Sequence, residues 1–319
     1  MNRFDVFNGD ADGICALHQW RLAHPADATL VTGVKRDIRL LQRVQAATGD
    51  AVLALDISLD TNRDDVERLL AAGASLRYFD HHFAGAPIVH PAFEATIDTE
   101  PDQCTSLLVD KALGGRFRAW AVVAAFGDNL HLAARQAAVP LGLHGEALES
   151  LAELGELLNY NAYGDSVADL HCPPDALYKQ LTPYVEPLDF INEAPTFARL
   201  LAGFNEDIIN AESIAPCLKS GTVAAWVLPD AAWSRRVVGV LSNRLAVANP
   251  ACAHALLVPN KSGNLTVSVR APQVRPTGAD EFCRRYPTGG GRKGAAGINH
   301  LPAGEMDTFF ADFSDFFRE

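Results

Sequence analysis

The first hundred residues switch repeatedly between two hydrophobic periodicities. Phe4-Asp5-Val6-Phe7 is a short apolar-rich run that ends in the polar stretch Asn8-Gly9-Asp10-Ala11-Asp12-Gly13. A helical pattern follows over about residues 14–23, and residues 30–34 read as a second strand. Residues 51–57 are almost continuously apolar, as expected of a strand buried on both faces. Residues 62–72 are helix-like, with Gly73 as the stop. Residues 76–79 form a further strand that runs into Asp80-His81-His82. Strand and helix alternating at this spacing predict an α/β fold with a doubly wound, mostly parallel sheet.

Between about residues 103 and 214 the pattern is mainly helical, broken by Pro140, the Pro173-Pro174 pair and Pro183. Mixed α/β texture returns from Gly221, with strands predicted over 222–228, 253–258 and 265–269. The turn-forming residues 259–264 make the last two a hairpin. The run 307–317 carries Phe309, Phe310, Phe313, Phe316 and Phe317 at helical spacing, which predicts an amphipathic helix facing the core. The expected organisation is a first domain over 1–187, a helical connector over 188–216 and a smaller mixed α/β domain over 217–319.

Length and composition agree with that division. A chain of 319 residues, 48% hydrophobic, has material for two ordinary domains with real cores. No run approaches the ~18 apolar residues that a membrane span needs. Met1-Asn2-Arg3-Phe4-Asp5 leads straight into a strand, without the charged head and apolar run of a signal peptide. The six cysteines are scattered and form no CxxC pair, so they read as reduced thiols of a cytoplasmic protein. Net charge adds a restriction: at −12 the chain is a poor match for long nucleic acid, which needs a basic surface. Small anions remain accessible where metal ions and a few basic residues create a local positive field.

The candidate chemistry gathers at the carboxyl ends of the predicted strands, the edge where open α/β sheets bind ligands. Asp10 and Asp12 follow the first strand, Asp56 the third, and Asp80, His81 and His82 the fourth. Asp128 follows the apolar run 119–126. Taken singly, a carboxylate after a strand is a turn residue or a helix cap. Taken together, carboxylates repel one another unless cations neutralise them. An imidazole added to carboxylates suits manganese, with magnesium as the alternative, and a shared carboxylate would build a site for two ions.

These residues also carry a resemblance. Asn8-Gly9-Asp10-Ala11-Asp12-Gly13, Leu55-Asp56-Ile57-Ser58, Asp80-His81-His82 and Gly127-Asp128-Asn129 resemble the four ordered motifs of the DHH phosphoesterases. Val267-Ser268-Val269-Arg270 and the stretch from Gly289-Gly290-Gly291-Arg292-Lys293 to Gly297 resemble motifs of that family's associated C-terminal domain. The resemblance implies a two-domain hydrolase of phosphoester or phosphoanhydride bonds, with its active site in the interdomain cleft. It implies two divalent ions, with manganese the first choice, held by Asp10, Asp12, Asp56, His81 and Asp128, and Asp56 as the bridge. His82 would sit beside the scissile phosphate, Asp80 would support the histidines, and Asn8 would position a ligand or a water. In the second domain Gly289, Gly290 and Gly291 would bring backbone N–H groups to an anion, with a following helix start adding its positive end. Arg270, Arg292 and Lys293 would supply charge.

Two positions depart from the pattern. Val6 stands where many family members have a histidine, which leaves one metal with fewer protein ligands, and Arg292 stands where the glycine motif usually continues with histidine. The expected substrates are short oligonucleotides, linear dinucleotides or nucleoside bisphosphates. Pyrophosphate or polyphosphate hydrolysis is the alternative within the enzyme class, and a nucleotide-binding sensor without turnover is the rival outside it. No membrane partner is expected, and the sequence leaves a homodimer open. Plainer readings suffice elsewhere: His18 and Trp20 as packing or surface residues, His131 as a bystander, and Thr105 and Ser106 as helix caps.

Overall fold

A computed structural model describes residues 1–318, which fall into two compact units: Met1–Ala162 with Ser166–Ala202, and Tyr163–Asp165 with the chain from Gly203 onward. The first unit is built on five strands, β1 (Arg3–Phe7), β2 (Thr29–Val31), β3 (Ala51–Leu55), β4 (Ser75–Asp80) and β5 (Phe93–Ile97). They pair in the order β2-β1-β3-β4-β5, and every pairing is parallel. The central strands are the apolar ones: Val6, Phe7, Ala54 and Leu55 are fully buried. The edge strand β5 escapes the hydrophobic pattern because Glu94, Ala95 and Thr96 in its middle are exposed.

Topology then selects one point on the sheet. The chain leaves β1 towards β2 on one side and returns to β3 on the other. The carboxyl ends of β1 and β3 therefore flank the position where strand order reverses, the usual place for a ligand in such sheets. Strand β2 stops at Val31, shorter than the sequence pattern predicts, because the chain turns there to pass close to the first motif. A methyl group on Gly9 would lie 2.0 Å from the carbonyl oxygen of Gly33, so only glycine fits at that crossing.

Helices α1 (Ala11–Ala23), α2 (Arg63–Ala71), α3 (Thr105–Ala112), α4 (Arg118–Gly127), α5 (His131–Ala138), α6 (Gly145–Asn161), α7 (Pro174–Leu181) and α8 (Pro187–Glu193) complete this unit. Residues 11–20 of α1 are buried on all sides, so the helix is hydrophobic all round rather than amphipathic. Gly127, at the end of α4, lets that helix approach α1: an added methyl would meet the Ala11 side chain at 2.4 Å.

His18 belongs to this packing, as expected. It is 1% exposed, its ring meets Trp120 edge-on at 4.6 Å, and Nε2 donates to the Tyr184 carbonyl at 2.8 Å. Burial pushes its pKa down from 6.5 to about 4. Between those two values the unfolded chain binds a proton that the folded chain refuses, so stability falls as pH falls through that window. The loss amounts to about 3 kcal/mol for this one group. Urea denaturation at pH 7 and pH 4 should show a smaller acid loss in His18→Gln than in the wild type. An unchanged difference would contradict this assignment.

The long helix α9 (Pro195–Glu212) carries the chain into the second unit. There β6 (Leu218–Lys219), β7 (Val223–Val227), β8 (Ala253–Pro259), β9 (Asn264–Arg270), β10 (Gly289–Arg292) and β11 (Ala295–Pro302) form a mixed sheet in the order β10-β11-β9-β8-β7-β6. Only β7 and β8 pair in parallel, joined through α10 (Ala232–Ala248). Strands β8 and β9 form the expected hairpin. Phe282 of α11 (Ala279–Cys283) lies 5.5–5.9 Å, ring to ring, from Phe309, Phe313, Phe316 and Phe317 of the C-terminal helix α12 (Met306–Phe316) and its cap. That helix buries its aromatic face as its spacing predicts.

One expectation fails here. No helix follows the glycines; they form the edge strand β10 and turn back into β11, because residues 295–302 find backbone partners on β9. Among the described residues no helix is long and apolar enough to cross a membrane, and all six cysteines are unpaired thiols.

Candidate metal centre

Each acidic side chain at the switch point is fixed by its own local geometry. Asp10 caps α1: its Oδ1 accepts from the amides of Asp12 and Gly13, both at 3.1 Å. Asp12, fully buried, is held from the other direction. Its Oδ2 and Oδ1 accept from the backbone amides of Thr105 and Ser106, each at 2.7 Å, so the positive end of α3 grips the carboxylate. Asp56 ends β3 in the left-handed region, φ 58°, and takes a hydrogen bond from Thr105 Oγ1 at 3.2 Å. A non-glycine residue held there is strained, and such strain collects at functional sites.

The histidines close the cluster. His81 Nε2 lies 3.5 Å from Asp56 Oδ1, 3.6 Å from Asp128 Oδ2 and 4.0 Å from Asp12 Oδ2. His82 Nδ1 is 2.7 Å from Asp80 Oδ1 and 4.0 Å from Asp56 Oδ1. Two overlapping triads, Asp56-His81-His82 and Asp12-His81-Asp128, each bring one ligand atom per residue close enough to share an ion.

The electrostatics call for cations. Burial raises the Asp56 pKa well above the ordinary range, and the carboxylates of Asp12, Asp10, Asp128 and Asp80 push it further. Asp128 is raised as well, by burial and by Asp12 and Asp10, against the opposing pull of Lys35 and His81. For Asp10 burial works in the same direction, but the Lys35 ammonium and the hydrogen bonds overcome it, and the pKa falls. Buried oxygens with unmet negative charge beside an imidazole are a donor set for a divalent ion of the manganese or magnesium kind. For His82 burial favours the neutral ring, yet the hydrogen bond and charge of Asp80 outweigh it and raise the pKa.

The residues singled out in the sequence fare differently. Asp10, Asp12, Asp56, Asp80, His81, His82 and Asp128 meet at one edge of the first unit's sheet. Asn8 is buried, and its amide donates to the Lys35 carbonyl at 3.3 Å. Thr105 and Ser106 are not caps; Cys104 holds that position, and the pair instead anchors Asp12. His131 is exposed at the start of α5, 3.1 Å from the Asn129 side chain.

In the second unit Arg270 is half-buried. It donates from Nε to Asn243 Oδ1 at 2.9 Å and from Nη1 to Ser268 Oγ at 3.0 Å. Burial lowers its pKa, Tyr163 opposes this, and the charge of Arg292 adds to the lowering. Gly289, Gly290, Gly291 and Arg292 lie along β10, with Lys293 at the turn to β11.

Sequence reasoning missed Lys35, Asn159 and Asn243. Lys35 could have been found: it follows β2, which neighbours β1, so it emerges at the same sheet edge as Asp10. The two asparagines lie inside helices and carry no such signal.

No family model matches the sequence, and no curated protein matches it significantly. Solved structures do. A manganese-bound RecJ exonuclease superposes with a TM-score of 0.64 at 17% identity, covering 99% of this chain and 90% of that one. The pGpG-specific phosphodiesterase PggH from Vibrio cholerae gives 0.59 at 14% identity, covering 99% of this chain and 100% of the other. RecJ from Thermus thermophilus, in complex with Mn2+, gives 0.61 at 19% identity, covering 99% of this chain and 52% of that one. The chain therefore has the fold of DHH-domain proteins.

Proposed function

We propose that this chain is a divalent-metal-dependent phosphoesterase that hydrolyses short nucleotide phosphodiesters. The observation that carries the reading is the meeting of Asp12, Asp56, His81, His82 and Asp128 at the switch point of a parallel sheet whose fold RecJ and PggH share. Solved RecJ structures hold Mn2+ or Mg2+, which supports the same ions here, with manganese preferred for the imidazole ligand. The two candidate triads overlap at His81.

Asp56, His81, Asp12 and Asp128 are the proposed ligands, with Asp10 completing the acidic wall. A divalent ion held there supplies an electrophile for phosphoryl oxygens and a water of lowered pKa. The chain's own groups do the rest. Asp80 fixes the His82 ring through Nδ1, which leaves Nε2 to face the phosphate. His82 is thereby placed to give a proton from Nε2 to the departing oxygen. Arg270, with Arg292, Lys293 and the backbone of Gly289, Gly290 and Gly291, is proposed to take the anionic end of the substrate. A short substrate is favoured over a long strand by the net charge of −12.

The test is a release assay on a linear dinucleotide, a short oligonucleotide, a nucleoside bisphosphate, pyrophosphate and polyphosphate. Nucleotide release with manganese that stops on adding chelator is the expected result. Release from pyrophosphate or polyphosphate alone would move the substrate class to phosphoanhydrides. Nucleotide binding without turnover on any member would leave the sensor.

A further inference from the structure

Both oxygens of Asp10 are engaged by groups of the chain itself: Oδ1 by the amides of Asp12 and Gly13, Oδ2 by the ammonium of Lys35. The same ammonium lies 3.3 Å from Asp128 Oδ1 and 2.9 Å from Asn159 Oδ1. Asp10, Asp128 and Asn159 thus each place a side-chain oxygen within hydrogen-bond reach of one ammonium. The backbone is clamped to hold it there: the Lys35 amide donates to the Ala162 carbonyl at 2.9 Å, and its own carbonyl receives the Asn8 side chain at 3.3 Å.

On the far side of the cluster the balance is reversed. Among the described residues the ion-pair partners of Asp56 are imidazoles, His81 at 3.5 Å and His82 at 4.0 Å. Val6, completely buried in the apolar core, carries no polar side-chain atom. A lysine ammonium is therefore built into the Asp10 half of the centre, while imidazoles face Asp56.

We infer that Lys35 is a tethered cation standing in for a second metal ion, so that the centre holds a single divalent ion on Asp56, His81 and the facing oxygens of Asp12 and Asp128. The inference rests on the metal-centre reading above and fixes its stoichiometry. A divalent ion on Asp10 Oδ2 and Asp128 Oδ1 is disfavoured beside an ammonium at hydrogen-bond distance, because the two positive charges repel and draw on the same oxygens. Lys35 is thus a positioning residue: it holds Asp10 and Asp128 as a metal would, without exchanging.

Equilibrium dialysis of the full chain against Mn2+, with metal counted by atomic emission and the spectrum read by electron paramagnetic resonance, decides this. The wild type should hold one ion per chain, with the hyperfine pattern of an isolated Mn2+. Lys35→Ala should take up a second ion and show the signal of a spin-coupled pair, while Lys35→Arg should stay at one. A wild type that binds two ions overturns the inference and leaves the metal centre standing, whether or not the alanine variant folds. A folded Lys35→Ala that stays at one ion overturns it too. A wild type that binds none removes the metal centre itself.

Discussion

Asp56→Asn is expected to cut metal-dependent nucleotide release by more than about 100-fold, beyond what losing an outer partner of a metal ligand costs. The same change is expected to raise the melting temperature of the metal-free protein. Both effects come from one cause. Asp56 is buried among the carboxylates of Asp12, Asp10, Asp128 and Asp80, which hold its pKa well above the ordinary range. That is what recruits a divalent ion, and without one it is a cost to the fold. Asparagine is the right probe because it tolerates the left-handed backbone at φ 58°, which alanine does not.

The pH dependence has a definite sign. A carboxyl whose folded pKa is raised binds more protons folded than unfolded. Asp56 therefore costs the metal-free wild type stability as pH rises from about 4 through its titration, against the gain from His18 that wild type and variant share, so Asp56→Asn should gain stability relative to the wild type over that range. Thermal denaturation in chelator across pH 4–8 measures this. A lower melting point for Asp56→Asn at pH 7 would contradict the assignment.

Asp12→Ala, a change at a neighbouring carboxylate, should have the opposite effect on stability. Asp12 accepts the Thr105 and Ser106 amides at 2.7 Å each, and Ser106 Oγ donates to its backbone carbonyl at 2.8 Å. Truncation leaves two buried helix N–H groups without an acceptor and removes the negative charge from the positive end of α3. Loss of charge-assisted hydrogen bonds of this kind costs roughly 2–5 kcal/mol. For a unit of this size that lowers the melting temperature by roughly 5–15 °C. Turnover should disappear as well. A variant that melts with the wild type would mean that α3 does not depend on Asp12.

The opposite signs separate two roles that look identical in sequence. Asp12 and Asp56 are both aspartates after a strand, and nothing in their neighbours says which one the fold depends on. The difference lies in what reaches them from elsewhere in the chain: a helix N-terminus for Asp12, four carboxylates for Asp56.

The alternation of apolar strands and helices was enough to specify the parallel sheet, since buried central strands such as residues 51–55 must be apolar on both faces. It also specified the β8–β9 hairpin, through its turn residues, and the aromatic face of α12, through its spacing. Four ordered motifs identified the acidic and histidine cluster. The edge strand β5 was invisible because its exposed residues carry no period. The run of glycines offered no sign that it would become an edge strand, since its partner β11 is recruited by β9 through backbone hydrogen bonds. Lys35 is the clearest case: ninety-three residues separate it from Asp128 and 124 from Asn159, yet one ammonium joins them to Asp10. A sequence lists its charges by position along the chain. Which charges neutralise one another depends on distances of a few ångströms, and only the folded chain sets those.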